Sequence, residues 1–274
     1  MLTAQSLASG SSGNSILVRN ERDSVLIDAG IGIKKLTSGL LQAGVNPTDL
    51  SAILITHEHG DHITGAVRMA RRYRVLLVSN APTLANISGA GSVPHKILEP
   101  GEEMVVGSLS IRPFPVSHDA TCPVGYTIKC SSGATIVSAT DTGKLTPQIR
   151  NEAETADLLI IESNHDVGMV VSGPYPWHLK RRILGDWGHL SNDTTARLLL
   201  DLAESGRKRT VWLAHLSKTN NTPRLAMSTA QKTLSQHIGS TITLGVALRD
   251  IPSLNWQQGH TLFQLSLFSP AVPD

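Results

Sequence analysis

Short apolar runs separated by Gly-, Ser- and Asp-containing turns recur along the chain, and they predict strands more often than helices. Over the first third, residues 15–19, 24–27, 53–55 and 75–78 read as β-strands, with helical periodicity at about 32–43 and 63–73. Residues 104–115, 124–129 and 134–138 follow as strands joined by short turns, the pattern of antiparallel hairpins. Beyond residue 141 the rhythm changes. Helices at about 145–153, 176–184 and 192–205 alternate with strands at 158–162 and 210–214, and a helix at 223–237 and a strand at 241–246 continue the series. Two sheets with helices outside both bury such a sequence economically, which predicts an α/β fold in four αββα layers. Residues 252–274 lack strong periodicity, although 262–268 fit one more strand.

At 274 residues the chain suits one large domain or two small ones. Ligand-type side chains scattered along most of it favour one domain spanning 1–274. A net charge of +2 with 17% charged residues announces no polyanion through an overall field, so local patches must carry any such argument. Cys122 and Cys130 are too few for a disulfide scaffold, and no secretory signal is visible, which points to a reducing cytoplasm. The longest apolar runs, such as Leu158-Leu159-Ile160-Ile161, fall far short of the ~20 residues of a membrane helix, so no membrane partner is expected.

The densest chemistry is Thr56-His57-Glu58-His59-Gly60-Asp61-His62, directly after the apolar run Ala52-Ile53-Leu54-Ile55. Histidines two apart on extended chain point to one side, and Gly60 lets the chain turn so that Asp61 and His62 face a second position nearby. Three imidazoles and a carboxylate at this spacing read as a metal site at a strand end, with room for two adjacent ions. Two ions need further ligands, and three more acid or imidazole groups follow strand-like runs: His118, Asp141 and His215. Every donor is nitrogen or oxygen, a set that suits Zn²⁺ or Mn²⁺ and admits iron. Cys122 reads as a small buried residue rather than an extra ligand.

The order His57-x-His59-x-Asp61-His62, then His118, Asp141 and His215, resembles the metallo-β-lactamase fold superfamily over most of the chain. The resemblance implies that His57, His59 and His118 hold one divalent metal ion, that Asp61, His62 and His215 hold a second, and that Asp141 bridges them. It also implies that Asp28 supports the metal loop, whereas its sequence context alone reads equally well as a turn aspartate before Gly30. Two ions about 3.5–4 Å apart hold a shared water and lower its pKa towards neutrality, so hydroxide is the expected nucleophile for hydrolysis of an ester, amide or phosphoryl bond. Asp61 is a candidate catalytic residue as well as a ligand, because it can orient that hydroxide.

Further segments narrow the resemblance. Glu162-Ser163-Asn164-His165-Asp166, Ser172 to Trp177 and Gly188 to Asn192, together with Leu7 to Asn14 and Leu213 to Ser217, resemble the YycJ (WalJ) branch, whose members are taken as DNA 5′-exonucleases. Gly188-His189-Leu190-Ser191 is similar to a Gly-His-Ser-Thr segment of tRNA 3′-processing nucleases, in which the histidine faces the scissile phosphate. His189 is therefore a candidate catalytic residue that binds phosphate or protonates a leaving oxygen. The plain alternative makes it a bystander to a helix cap formed by Ser191 or Asn192. His165 stands evenly between a site role and a core hydrogen bond. His95, His178, His237 and His260 have no ligand context.

Basic residues gather at Arg68, Arg71, Arg72 and Arg74, at Lys180, Arg181 and Arg182, and at Arg207, Lys208 and Arg209. Solvated helix faces account for them most economically, but the second group lies between Tyr175-Pro176-Trp177 and His189, where it would attract a phosphate backbone. The turn from Ser9 to Asn14 reads either as a cradle of backbone N–H groups or as a hairpin connection. The leading expectation is a binuclear metal-dependent phosphodiesterase acting on nucleic acid, an exonuclease at DNA ends whose 5′ polarity comes from the resemblance alone. A small-molecule hydrolase acting on a cyclic phosphodiester, lactone or thioester, an RNA-processing nuclease and a non-catalytic binding protein are its rivals. A homodimer is left open.

Overall fold

The computed structural model describes residues 1–237, 239 and 241–260. Strands β1 (Thr3–Ala8), β2 (Ser15–Arg19), β3 (Ser24–Ile27), β4 (Ala52–Leu54), β5 (Leu76–Ser79) and β6 (His95–Ile97) form one mixed sheet. The second holds β7 (Met104–Val106), β8 (Leu109–Pro115), β9 (Val124–Cys130), β10 (Thr135–Ala139), β11 (Leu158–Glu162), β12 (Arg209–Ala214) and β13 (Ile242–Val246). A last strand, β14 (Leu254–Gln257), returns to pair antiparallel with β1. Helices α1 (Ile33–Gln42), α2 (Gly60–Ile63), α3 (Ala66–Tyr73) and α4 (Ala81–Ala85) accompany the first sheet in sequence. The second is followed by α5 (Pro147–Thr155), α6 (Val167–Ser172), α7 (Trp177–Leu184), α8 (Asn192–Glu204) and α9 (Pro223–Leu234).

The unbroken apolar runs now have a physical account. Along a strand, alternate residues face opposite sides, so a strand covered on both faces must be apolar throughout. Ala52 and Leu54 of β4, Leu158 and Ile160 of β11, and Trp212 of β12 join the core between the sheets. Their neighbours divide by sheet: Ile53 packs in the layer that holds Leu36 and Leu40 of α1 and Met69 of α3. Leu159, Ile161, Val211 and Leu213 pack in the layer of Ile149, Leu198, Leu202 and Ala226 from α5, α8 and α9. The expected four layers follow from this partition. Side-chain oxygens of Thr146, Ser191 and Thr222 cap α5, α8 and α9, and Pro147 and Pro223 occupy first helical turns.

Several elements differ from expectation. β1 went unseen because Leu7 is its only large apolar residue, and its other buried positions are Ala4, Ser6 and Ala8. β6 is an edge strand with every residue exposed. The run 104–115 is two strands, since Gly107 at φ 56° turns the chain into a hairpin. The helix expected at 63–73 is broken between α2 and α3, where Gly65 N–H donates to the Ala29 carbonyl at 2.7 Å. α4 and α6 are single-turn helices below the length at which periodicity is readable. In the tail, Leu254 and Trp256 of β14 face inward, and the strand expected at 262–268 lies outside the described residues. Among the described residues no helix is long and apolar enough to cross a membrane.

Trp212 is the largest of the fully buried side chains and sits between the sheets. Trp212→Ala should lower stability by about 3–5 kcal/mol in urea unfolding. A change below about 1 kcal/mol would mean that this inter-sheet layer does not hold the sandwich together.

Candidate metal centre

The seven side chains expected at the site follow strand ends at one edge of the sandwich, five of them in loops and Asp61 and His62 on α2. β3, β4 and β5 run parallel, as do β10, β11 and β12. Their C-terminal ends therefore open together, and functional groups gather where such strands end. Three site residues adopt left-handed backbone to make the turn: Asp28, Asp141 and His215, at φ of 59°, 55° and 55°. Among described non-glycine residues only Arg74 shares that conformation. Each left-handed residue costs about 1–2 kcal/mol, so its surroundings must hold it. Asp28 N–H donates to the Leu54 carbonyl at 2.8 Å, and His215 N–H donates to Ser9 Oγ at 2.9 Å.

Four overlapping groups of donor atoms result, two of them the expected trios and one joining Asp141, Glu162, His189 and His215. His57, His59 and His118 have ring centroids 4.6, 5.2 and 5.1 Å apart, and one nitrogen from each lies within 4.8 Å of the others. Asp61, His62 and His215 meet the same limit, and Asp141 groups with His57 and His62. Asp141 Oδ2 lies 3.2 Å from His62 Nε2, while its Oδ1 is 3.7 Å from His118 Nε2 and 3.4 Å from His215 Nδ1. This carboxylate sits between the clusters.

Hydrogen bonds on the outer nitrogens aim the rings. Asp28 Oδ2 is 2.7 Å from His62 Nδ1, and its Oδ1 accepts the Thr56 backbone N–H at 2.9 Å. His118 Nδ1 lies 3.1 Å from the Gly188 carbonyl, and His57 Nδ1 3.0 Å from the Thr56 hydroxyl. His215 Nδ1 and His189 Nδ1 both lie 2.8 Å from Glu162 Oε1. Glu162 is fully buried at the end of β11, and its Oε2 accepts the N–H groups of Thr142 and Leu190 at 3.0 and 3.1 Å. Sequence reading missed this role, although a carboxylate directly after four apolar residues was the available signal.

Electrostatics divide the site. Burial pushes His57 well below the usual imidazole range, and burial likewise lowers His118. Burial opposes charge on His62 and His215 too, but Asp28 and Asp141 hold His62 well above that range, and Asp141, Asp61 and Glu162 raise His215 to about 10. Asp61 and Asp141 resist the opposing effect of burial because neighbouring imidazoles hold both below the carboxylate range, and Glu162 stands at about 2 for the same reason. The buried carboxylates thus create a field that favours positive charge. His57 Nε2 is buried with no hydrogen-bond partner in the protein, and Asp141 Oδ2 has only the His62 imidazole beside it. Orphaned buried lone pairs are costly, and a divalent cation satisfies them. The donor set fits a divalent metal.

Other candidates separate clearly. Asp28 is a support, as its hydrogen bonds show. Ser191 caps α8, so His189 is free of that duty, and its Nδ1 lies 3.7 Å from Asp141 Oδ1. His165 is buried outside the donor clusters, and burial lowers it to about 4. The turn from Ser9 to Asn14 backs the metal loop: Asn14 Nδ2 lies 3.1 Å from His62 Nε2, and Asn14 N–H donates to the Asp61 carbonyl at 2.8 Å. Gly30 packs so tightly there that a Cβ would overlap the Asp61 carbonyl. Of the basic groups, Arg182 reaches the site by pairing with Asp119, whose Oδ1 is 3.3 Å from His118 Nε2. Lys180 is buried and donates to the Val171 carbonyl at 2.7 Å, Arg207 pairs with Asp157 at 2.7 Å, and Arg209 donates to the Ala153 carbonyl. Cys122 stands outside the donor clusters.

A four-layer sandwich with these imidazoles and carboxylates at one edge defines a metal-dependent hydrolase of the metallo-β-lactamase fold. The chain belongs to the beta-lactamase superfamily, whose domain matches residues 23–216. It is 42% identical over 236 residues to Exodeoxyribonuclease WalJ of Streptococcus pneumoniae serotype 2 (strain D39 / NCTC 7466), covering 84% of this chain and 87% of that protein. Identity to Exodeoxyribonuclease YycJ of Bacillus anthracis is 36% over 234 residues, covering 84% and 88%. Among solved structures, the metallo-β-lactamase fold protein YhfI from Bacillus subtilis superposes with a TM-score of 0.69 at 18% identity, over 93% of this chain and 98% of that one.

Two outcomes follow from the geometry. Glu162→Gln should weaken Zn²⁺ affinity about 10- to 100-fold with an unchanged circular dichroism spectrum, because the aiming of His215 is lost. Unaltered affinity would contradict that role. At pH 7, below the raised values of His62 and His215, both rings carry an extra proton that a metal must displace. Zn²⁺ binding should therefore release more than one proton per chain in an indicator-dye titration, and affinity should rise with pH towards 10. Zinc uptake without proton release would refute the assignment of charge.

Proposed function

We propose that this protein is a binuclear metal-dependent exonuclease that hydrolyses phosphodiester bonds at DNA ends, most specifically at 5′ ends. His57, His59 and His118 would hold one ion, Asp61, His62 and His215 the other, with Asp141 shared between them. Zn²⁺ or Mn²⁺ suits the nitrogen and oxygen donors, and iron is admitted. When bound, such ions supply an acidified water and neutralise charge developing at phosphorus. The relatives named exodeoxyribonuclease support DNA as the polymer. Since the ligands follow strands of both sheets, the described residues work as one catalytic domain. Free thiols at Cys122 and Cys130 agree with action in the cytoplasm.

The observation that carries the reading is the Glu162–His189 pair beside Asp141. Burial works against charge on His189, but Glu162 holds its pKa above the usual imidazole range. A ring that keeps its proton near neutrality can donate it. Its Nδ1 is engaged by Glu162, so Nε2 is the atom that gives a proton to the leaving sugar oxygen as the phosphorus–oxygen bond breaks. Asp61, held ionised beside His62 and His215, accepts a hydrogen bond from the attacking water and orients it. Water oxygen ends on phosphorus and releases one proton to solvent, and the proton from His189 ends on the sugar.

End-labelled single- and double-stranded DNA, incubated with the Zn²⁺- or Mn²⁺-loaded protein, should be shortened from the 5′ end. His189→Ala should retain its metal and lose roughly 10²- to 10⁴-fold in kcat. Cleavage of RNA ends or cyclic phosphodiesters with DNA left intact would overturn the polymer assignment. Full turnover by the variant would overturn the role of His189.

A further inference from the structure

Charge is distributed unevenly over the outer helices. Helix α1 carries Lys34 and Lys35, helix α3 carries Arg68, Arg71 and Arg72, and Arg74 caps α3, with no acidic residue in either helix. All six cations are exposed. The whole chain has a net charge of +2, so the remainder of the molecule is net acidic and this face is its basic pole. None of the six enters an ion pair among the described residues, whereas Arg112, Lys144, Arg150, Arg182 and Arg207 each hold a carboxylate. Arg71 donates to the Ser92 hydroxyl and Arg72 lies over the Tyr73 ring, contacts that leave both charges unneutralised. Unpaired like charges on neighbouring helices repel one another and create a positive field that attracts a polyanion.

Between the two helices lies a groove of about 410 Å³. Ile33, Thr37 and Leu41 line it from one stripe of α1, opposite Arg72 and Tyr73 of α3, with Lys34 beside them. The Thr37 and Tyr73 hydroxyls meet at 3.3 Å and tie the helices together. Leu41 is 57% exposed. An apolar floor flanked by cations matches a sugar–phosphate chain, whose sugars are partly apolar and whose phosphates accept the forked donors of arginine.

Position decides among polyanions. Helix α1 opens shortly after Asp28 and α3 shortly after His62, and the strands that these helices connect are parallel. Both helices therefore start at the edge that carries the metal donors and run away from it. Lys34, Lys35 and Arg68 lie in first turns beside that edge, while Arg71, Arg72 and Arg74 lie at the far end of α3. The eight residues of α3 span about 12 Å, over which one nucleic-acid strand presents several phosphates.

We propose that the α1–α3 face is a track for the phosphate backbone of a DNA strand whose end lies in the metal centre. The proposal rests on the nuclease reading and adds an affinity that grows with substrate length, which the metal centre alone does not provide. The track reads no sequence, since phosphates carry none.

The test compares single strands of about three and about thirty nucleotides with one terminal sequence, bound in anisotropy titrations and cleaved by the metal-loaded protein. The long strand should be preferred roughly tenfold or more in kcat/KM, chiefly through KM. Lys34→Gln, Arg68→Gln and Arg72→Gln together should bring that ratio close to one and lower the slope of log Kd against log salt by about 2. Glutamine keeps the helix preference of lysine and arginine, and circular dichroism checks that the variant folds. An equal loss of charge on other faces, through Lys129→Gln, Lys208→Gln and Lys232→Gln, should keep the ratio. Unaltered ratio and slope in the first variant, or equal losses in both variants, would overturn the track. DNA binding that depends on Lys34, Arg68 and Arg72 with no cleavage of any DNA would support the track while overturning the nuclease reading. DNA affinity indifferent to these substitutions, with binding to anionic phospholipid vesicles lost, would overturn the track and assign the face to a membrane surface.

Discussion

Two buried carboxylates aim the imidazoles on which the site depends. Asp28 holds Nδ1 of His62, and Glu162 holds Nδ1 of both His215 and His189, each at 2.7–2.8 Å. An imidazole pinned at one nitrogen presents the other in a fixed direction, which is how protein sites pre-arrange donors for a metal. Both carboxylates are in turn fixed by backbone N–H groups: Thr56 for Asp28, Thr142 and Leu190 for Glu162. Burying such charges is unfavourable without partners, so their persistence in the core requires the positive charge that the inner faces gather.

The sandwich makes this arrangement possible. Parallel strands within each sheet finish at the same edge, and the left-handed corners at Asp28, Asp141 and His215 swing side chains inward within one or two residues of the strand ends. Strain at three such corners is offset by neighbouring hydrogen bonds and by the apolar layers that hold β4, β11 and β12 in register. The N-terminal turn contributes by packing, since Asn14 and Gly30 close behind Asp61 and leave no space for a larger residue at position 30.

Legibility followed the physics of each feature. Elements with both faces buried, such as 158–162 and 209–214, were plain in the sequence, because a short continuous apolar run suits a strand covered on two sides better than any surface element. Strands such as 3–8, with a single large apolar residue, and 95–97, exposed throughout, carried no such signal. The donors were visible as His and Asp residues at run ends, and the structure brings all seven together. Glu162 was hidden because its carboxylate acts through two imidazoles that lie 27 and 53 residues away in the chain.

Anomalous diffraction at the zinc edge, from crystals grown with excess Zn²⁺, tests the account most directly. Two peaks are predicted, each within coordination distance, about 2.0–2.2 Å, of one trio: His57, His59 and His118 for the first, Asp61, His62 and His215 for the second, with Asp141 reaching both. A lone peak bound to neither trio, or none at all, would contradict it.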